Sequence, residues 1–383
     1  MKVVIGAIGK FFSEADVLLL FLGIASAIYG VILISSSARN DPGSTDVTVQ
    51  IISIIIGLVL FIIFSYVDID IIADKSIFLF AFSILFVLTL IPWGYGAGYY
   101  GRRAWLRFFG IGIQPAEIVK VTFIVIMARM ITTFKERRTL DSILSLLQIG
   151  AVFAIIFGTV FYISEDLGTA VVFFAILVGM LFAGGLKLRW FIIFGAAIAA
   201  IFPFLLDNVF LPHQRARILA PFFPELVDPE WLERVSWQPD RSVEAIASGG
   251  IFGQGLGNGR FTQSPGSIPA HRTDFIFSIA GEELGFIGCL LIIALLLAII
   301  IRCIYVGVKS NNTLGMLVCA GVAVKFAAQT IENIGMALGL MPVIGITLPF
   351  FSAGGSSIVT CFAAIGIVSG IRMRPRPARF RSL

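Results

Sequence analysis

Apolar residues run in long unbroken stretches, separated by short polar breaks, over nearly the whole chain. The stretches fall at 16–36, 47–66, 76–94, 114–133, 142–162, 168–184, 187–206, 274–302, 313–340 and 353–372. A bilayer core of about 30 Å is crossed by roughly 20 helical residues, so each stretch predicts one spanning helix. Ten spans result, and the expected fold is an all-α polytopic membrane protein forming a single domain over 1–383. The break Gly184-Gly185-Leu186-Lys187 is the narrowest, and joining its flanks into one helix would reverse the orientation of everything that follows. The first stretch follows Lys2 and Lys10 but exceeds the roughly 7–15-residue core of a cleaved signal peptide, and reads as an uncleaved first span.

One long polar segment breaks this rhythm, 207–273, between the seventh and eighth spans. Chemistry in water is expected there. Within it, Asp240 can cap a short helix over RSVEAIAS that Gly249-Gly250 ends, so the loop is expected to be partly helical and packed on the spans. Its GQGLGNG run has neither the Gly-Lys-Ser/Thr ending nor the preceding strand of a phosphate-binding loop, which sets a nucleotide site aside.

Composition agrees with the pattern: 58% of the 383 residues are hydrophobic and 13% charged, against about 25% charged in soluble domains. The net charge of +5 reports orientation in such a chain and implies no nucleic acid. With ten spans and an inside N-terminus, Lys2, Lys10, Lys75, Lys135, Arg137, Arg138, Lys187, Arg189, Arg302, Lys309 and the five arginines of the tail all fall inside. The short outside loops hold Arg39, Arg102, Arg103 and Arg107. Both termini are therefore expected in the cytoplasm and 207–273 outside. The four cysteines lie in or beside apolar stretches, with no disulfide framework and no zinc spacing. No internal repeat of the kind common in secondary transporters is evident.

Charges inside spans cost about 2.5–3.5 kcal/mol each at a helix centre, which makes them functional candidates. Glu117 and Lys120 lie three apart on one helical face, as a structural ion pair or as the support of a cavity near the outer end of the fourth span. Lys325, Gln329 and Glu332 form a polar stripe on the ninth span that can line a groove for substrate. Glu282 follows Asp274 by about 12 Å along the eighth span and Glu283 points nearly opposite, so at least one of the two is expected to be structural. In the loop 95–113, Arg103, Arg107 and Trp105 combine guanidinium forks that suit phosphate oxygens with aromatics that also fit an interfacial belt. Finally, His271-Arg272-Thr273-Asp274 puts a carboxylate where the long loop becomes a helix. Asp274 is the leading catalytic candidate, with His271 and Arg272 as neighbouring substrate contacts; its alternative is a helix N-cap shared with Thr273.

Several stretches then acquire a common meaning. GVILISSSA, RRAWLRFFGIGIQPAEIVK, EDLGTA, GGIFGQGLGN, RTDFIFSIAGEELGFIG and ENIGMALGLMPVIGITLPFFSAGGSS occur in order over nearly the whole chain. Together they resemble the SEDS (shape, elongation, division and sporulation) family, the RodA/FtsW type of peptidoglycan polymerases. The resemblance implies ten spans with cytoplasmic termini in the bacterial cytoplasmic membrane. It implies that lipid II is joined into glycan strands on the outer face, beside a class B penicillin-binding transpeptidase and other division or elongation proteins. Asp274 matches the family's catalytic acidic residue, Glu117 and Lys120 its Gln-Pro-x-Glu motif, and Arg103 and Trp105 its outer-loop positions. Ala353, Ala337 and SIPAHRTD depart from the family's usual residues, which bears on substrate contacts more than on the reaction. GQGLGN, GEELG and ITLPF lean towards the division type.

The chemistry expected is an inverting transfer in which Asp274 takes the proton of an acceptor hydroxyl while undecaprenyl diphosphate leaves. Arg103, or else Arg107, Arg260 or Arg272, would stabilise the leaving charge; a divalent cation is admitted, although no ligand cluster marks one. Two other classes remain open. A lipid II flippase would rely on midplane charges such as Lys325 and Glu332 and tolerate Asp274→Asn, and a scaffold that recruits the transpeptidase would tolerate neutralisation of its buried charges.

Overall fold

Helices form wherever the apolar pattern reaches spanning length. The computed structural model describes residues 11, 13–39, 41, 43–96, 103–108, 111–164, 166–208, 210–264 and 266–374. Lys2, Lys10, Arg102, Glu165 and the tail arginines beyond Arg374 lie outside them. The helices are α1 (Val17–Ser37), α2 (Asp46–Tyr66), α3 (Ser76–Trp93), α4 (Pro115–Glu136), α5 (Ile143–Ser164) and α6 (Leu167–Gly184). They continue with α7 (Leu188–Asn208), α8 (Pro212–Leu219), α9 (Pro229–Gly249), α10 (Ile276–Lys309), α11 (Thr313–Ala337) and α12 (Gly355–Met373). A small antiparallel hairpin, β1 (Leu106–Phe108) and β2 (Ile111–Ile113), joins α3 to α4.

Among the described residues nine helices are apolar and long enough to cross a bilayer. The tenth expected span, α4, has the length, at 22 residues, but carries Glu117, Lys120 and Arg129. The narrow break holds: Gly185, at φ 90° in the left-handed region, caps α6 and separates it from α7. The helix expected from Asp240 instead begins twelve residues earlier. Asp228 accepts a hydrogen bond from Glu230 N–H and Pro229 opens the first turn, so α9 runs through Pro239 to Gly249.

Packing divides the spans into protein-facing and lipid-facing ones. α12 is buried nearly all round, chiefly against α2, where Gly366 lies so close to the Phe61 backbone that a Cβ would stand 2.8 Å from its Cα. By contrast, none of the described side chains of α7 is buried. At one end of the bundle, buried Asp16 caps α1, accepts from Arg302 of α10 at 2.9 Å and forms an ion pair with Arg372 of α12 at 3.3 Å. Arg272 does the corresponding work at the other end, donating to Asp41 and Asp46 at 3.0 Å each, to Ser44 Oγ and to the Ser37 carbonyl.

The long loop is fastened by a break in α10. Gly285 has φ 69° and ψ −161°, far from helical values, and its neighbours exchange hydrogen bonds with the loop after α9. Gln254 and Gly255 N–H donate to the Glu282 and Glu283 carbonyls, while Phe286 and Ile287 N–H donate to the Gly250 and Ile251 carbonyls. Backbone groups freed by the break are thus satisfied by another segment, the condition for a broken helix within a membrane protein. Gly253 of the GQGLGNG run serves this contact: a Cβ there would stand 2.2 Å from the Glu283 carbonyl oxygen. Both glutamates prove structural. Glu282 accepts from Phe261 N–H, Thr262 N–H and Thr262 Oγ, and Glu283 accepts from Ser36 Oγ of α1 and from Gln263.

Gly285→Ala should therefore cost more than about 2 kcal/mol, because strain at a positive φ is joined by a clash with Ile251 and Gly253. Gly195→Ala in α7, where a Cβ meets nothing within 4 Å, should leave stability unchanged or slightly raised. Thermal unfolding of both variants in detergent checks the contrast.

Candidate active site

Asp274 sits on a tight turn just before α10. Ala270, at φ 53°, offers its carbonyl to Thr273, Asp274 and Phe275 N–H together, which curls the chain. Three successive carbonyls are then pinned from outside: Ala353 N–H donates to Arg272 O at 2.8 Å, Ser352 Oγ to Thr273 O at 2.5 Å, and Asn333 Nδ2 to Asp274 O at 2.7 Å. The pins come from α11 and from the buried, non-helical segment 344–353 between α11 and α12, whose own polar groups are held by Gln50 and Asn333. Asp274 is not the helix cap: Phe275 is the N-cap residue, and it makes no side-chain cap bond. The carboxylate is left for other work.

It opens into a cavity of about 330 Å³ lined also by Trp105, Gln114, Glu117, Lys120, Asp166 and Gly345. The floor is an ion triad. Lys120 Nζ lies 2.5 Å from Glu117 Oε1, and Lys325 Nζ of α11 lies 3.8 Å from Glu117 Oε2. All three side chains are buried, two lysines around one carboxylate. Asp166 caps α6 through Thr169 and accepts from Gln114 Nε2 at 3.1 Å, so the Gln-Pro stretch and the Glu-Asp-Leu-Gly-Thr stretch meet there. Burial pushes the Asp274 carboxyl up to about 6, helped by the negative charge of Asp166 and opposed by the Thr273 hydroxyl and by Arg217.

The candidate residues do not all share one place. Asp274, Glu117, Lys120 and Trp105 share the cavity. His271 and Arg272 line a neighbouring one, and Arg272 is committed to Asp41 and Asp46. Arg103 donates to the Ile91 carbonyl at 2.8 Å at the rim of an open groove of about 640 Å³ between α3 and α5, otherwise lined mostly by apolar residues such as Leu88, Ile91 and Ile163. Arg107 is exposed, 4.7 Å over the Tyr95 ring. Lys325 and Glu332, expected on a substrate groove, do not reach the cavity: Lys325 is wholly buried against Glu117 and Cys361, and Glu332 has one buried carboxylate oxygen without a hydrogen-bond partner among the described residues. A spacing of seven on one helix cannot reveal that a neighbouring helix supplies the counter-ion.

Sequence reasoning missed two groups. Arg217 of α8 acts on Asp274 from the long loop, and nothing in PHQRARIL marks it out among the loop arginines. Asp166 lay inside a motif noted only as a resemblance. Ala353, one of the departures from the family's residues, lines the cavity, and its small side chain leaves room there. Among the described residues no group of three or more His, Cys, Asp or Glu is placed to hold a metal.

Spanning helices that enclose a carboxylate and a buried ion triad beneath a long docked loop define a polytopic membrane protein with a walled polar chamber. The FtsW/RodA/SpoVE family, described as a cell cycle protein, matches residues 15–376, and the chain belongs to it. A relative from Trichlorobacter lovleyi, named probable peptidoglycan glycosyltransferase FtsW, is 32% identical over 374 residues, 95% of each chain. One of the same name from Bacillus subtilis is 32% identical over 336 residues, 85% of this chain and 80% of its own. The fold is that of a chain from a peptidoglycan synthase complex described as coordinating polymerization and crosslinking, with TM-score 0.78 and 24% identity over 94% of this chain and 98% of that one. It is also that of the Thermus thermophilus Rod shape determining protein RodA, with TM-score 0.66 and 23% identity over 94% and 97% of the two chains.

The triad makes an asymmetric prediction. Glu117→Gln strands two buried cations and should destabilise by about 3–5 kcal/mol, whereas Lys325→Met leaves the Lys120 pair intact and should cost clearly less. Comparing folded yield and melting temperature of the two variants checks the order.

Proposed function

We propose that this protein is a peptidoglycan glycosyltransferase that polymerises lipid II into glycan strands, with Asp274 as its base. Family membership and the names of the relatives support the reaction. The observation that carries the residue is the fixed turn at 270–274, which holds a carboxylate with a pKa of about 6 over a cavity floored by cations. At neutral pH that group is mostly ionised yet close enough to the working pH to accept a proton effectively.

In the proposed step, the acceptor hydroxyl oxygen attacks the anomeric carbon of the donor and its proton passes to an Asp274 carboxylate oxygen. The bond from the anomeric carbon to the diphosphate oxygen breaks, its electron pair leaves with undecaprenyl diphosphate, and the anomeric centre inverts. Lys120, with Lys325 behind it, supplies fixed positive charge in a water-poor site where it acts strongly. Trp105 offers a face for a sugar ring. The groove beside Arg103 suits a lipid tail with its phosphate at the rim, and Arg103-Ala104-Trp105 connects that groove to the cavity. The commitment of Lys325 and Glu117 to each other favours this reading over a flippase, which needs midplane charges that meet the passing headgroup.

The 207–273 side is proposed to face outward and both termini the cytoplasm, since Lys75, Lys135, Arg137, Arg138 and Lys187 all lie in connections at the opposite end. A class B penicillin-binding transpeptidase is the proposed partner, supported by the synthase complex whose chain shares this fold. The relatives' names favour division over elongation.

Polymerisation of labelled lipid II by purified protein, with and without a cognate transpeptidase, tests the proposal. Asp274→Asn should lower the rate by about 10²–10⁴-fold. Because the folded pKa lies above the ordinary carboxylate value, the native state favours the protonated form; that contribution to stability is complete below pH about 4 and lost as pH rises through about 6. The neutral Asn variant should accordingly melt no lower than wild type at pH 7. Wild-type rate should fall as pH drops through about 6, where the base is protonated. Equal rates for wild type and Asp274→Asn would remove Asp274 as the base, and no strands from either with the partner present would remove the enzyme.

A further inference from the structure

Among the described residues, Arg272 has the one side chain on the turn of Asp274 that hydrogen-bonds to another element. His271 Nδ1 stays with the Ile268 carbonyl and Thr273 Oγ1 donates back to the Ala270 carbonyl, both within the loop. The Arg272 guanidinium crosses instead to the connection between α1 and α2. Its Nη1 donates to Asp41 Oδ2 and Asp46 Oδ2 at 3.0 Å each and to Ser44 Oγ at 2.9 Å, and its Nη2 to the Ser37 carbonyl at 3.1 Å. The connection is folded on itself around these oxygens: Ser44 N–H donates to the Asp41 carbonyl, and Ser44 Oγ donates to Asp46 Oδ2. Two aspartates have taken up the charge of Arg272, which disfavours the phosphate contact expected from its place beside Asp274.

The same helix reaches the turn by a second route. Asp46 opens α2, and one helical turn further along that face Gln50 holds the Ser352 carbonyl at 3.1 Å and the Gly354 N–H at 3.3 Å. Ser352 and Ala353 in turn hold the Thr273 and Arg272 carbonyls. α2 itself packs closely on α12. Such support is needed, because Ala270 is a non-glycine residue at φ 53°, a conformation that persists only where the surroundings over-determine it.

We infer that Arg272 is a positioning residue for Asp274: seated on the α1–α2 connection, its guanidinium fixes the turn that aims the carboxylate, and it acts through that carboxylate and not on substrate. The inference rests on Asp274 being the base.

Arg272→Met, which keeps the apolar stem and removes the donors, tests this beside Asp41→Ala/Asp46→Ala at the far end of the tie. In full-length protein in nanodiscs, amide hydrogen exchange over 268–276 should quicken roughly 10-fold or more in both variants. Arg272→Lys, which restores one charged donor, should recover part of the protection. Polymerisation of lipid II should lose roughly 10- to 100-fold in kcat, the scale of a misaimed group, while KM stays within about 3-fold of wild type. A loosened carboxylate meets water, so in Arg272→Met the pH midpoint of the rate should move from about 6 towards the ordinary carboxylate value of about 4. Asp166 of α6, Arg217 of α8 and the Glu117–Lys120 pair of α4 are unchanged in that variant. Uncovering Asp41 and Asp46 would by charge alone push the midpoint up, so a downward move reports the turn. A merely structural loss would lower the yield of folded protein and leave the KM and midpoint of the remainder at wild-type values.

Wild-type exchange in Arg272→Met would overturn the role. So would faster exchange with kcat and midpoint unchanged, or a raised KM with kcat unchanged, the mark of a substrate ligand. Asp274→Asn polymerising as wild type does would remove the base and this role together, whereas a failure confined to Arg272 leaves the base standing.

Discussion

The structure turns on an exchange of hydrogen bonds at one broken helix. A transmembrane helix normally satisfies its backbone internally, and opening one turn in a low-dielectric interior leaves amides and carbonyls that must find partners. Here the partner is the end of the long polar loop, which lends its carbonyls to Phe286 and Ile287 and takes those of Glu282 and Glu283. The loop is thereby joined to α10 through backbone, where no side-chain rotamer can let go. Everything between α9 and Asp274 inherits its position from that join. Glu282 and Glu283, charges that look catalytic in a membrane helix, act as its clamps.

A second constraint follows from the same dielectric. Charges below the surface are met either by opposite charge, as Asp16 by Arg302 and Arg372 and Glu117 by Lys120 and Lys325, or by neutral donors, as Glu282 and Glu283. Asp274 is held differently. It is displaced from the cation triad, next to another carboxylate, on a turn whose carbonyls are all committed elsewhere. Such an arrangement raises the cost of its charge and is tolerable only because the backbone is fixed by Asn333, Ser352 and Ala353. Stability is spent at one carboxylate, whose ionised form its surroundings disfavour.

Most of the helical layout was legible from apolar run length alone, because a bilayer imposes one length on every crossing. The ends shifted by a few residues, most at α10, whose 34 residues carry it well past the expected end. The start of α9 was obscured by Pro239, which reads as a helix opening but stands inside a helix already begun at Asp228-Pro229. Asp274 was found because it marks a change of environment along the chain. The Glu117–Lys120 pair was legible from its spacing, but its third member was not, since Lys325 joins it across two helices. Arg217 and the division of the loop between two cavities depend on how the loop folds back, a long-range matter that no local pattern encodes.

The burial of α12 has a consequence for how the protein is made. Its hydropathy is among the lowest of the crossing helices and its surface is covered nearly all round by α2, α1, α4, α10 and α11. A helix so dependent on protein contacts gains little from lipid, so its place in the membrane is set by a slot the preceding helices have already built. Synthesis proceeds from the other end, which makes α12 the last of them to emerge from the ribosome. The segment that pins Asp274 lies just ahead of it, at 344–353. Seating of α12 and fixing of the Asp274 turn are therefore coupled, because the segment that pins the turn leads directly into that helix.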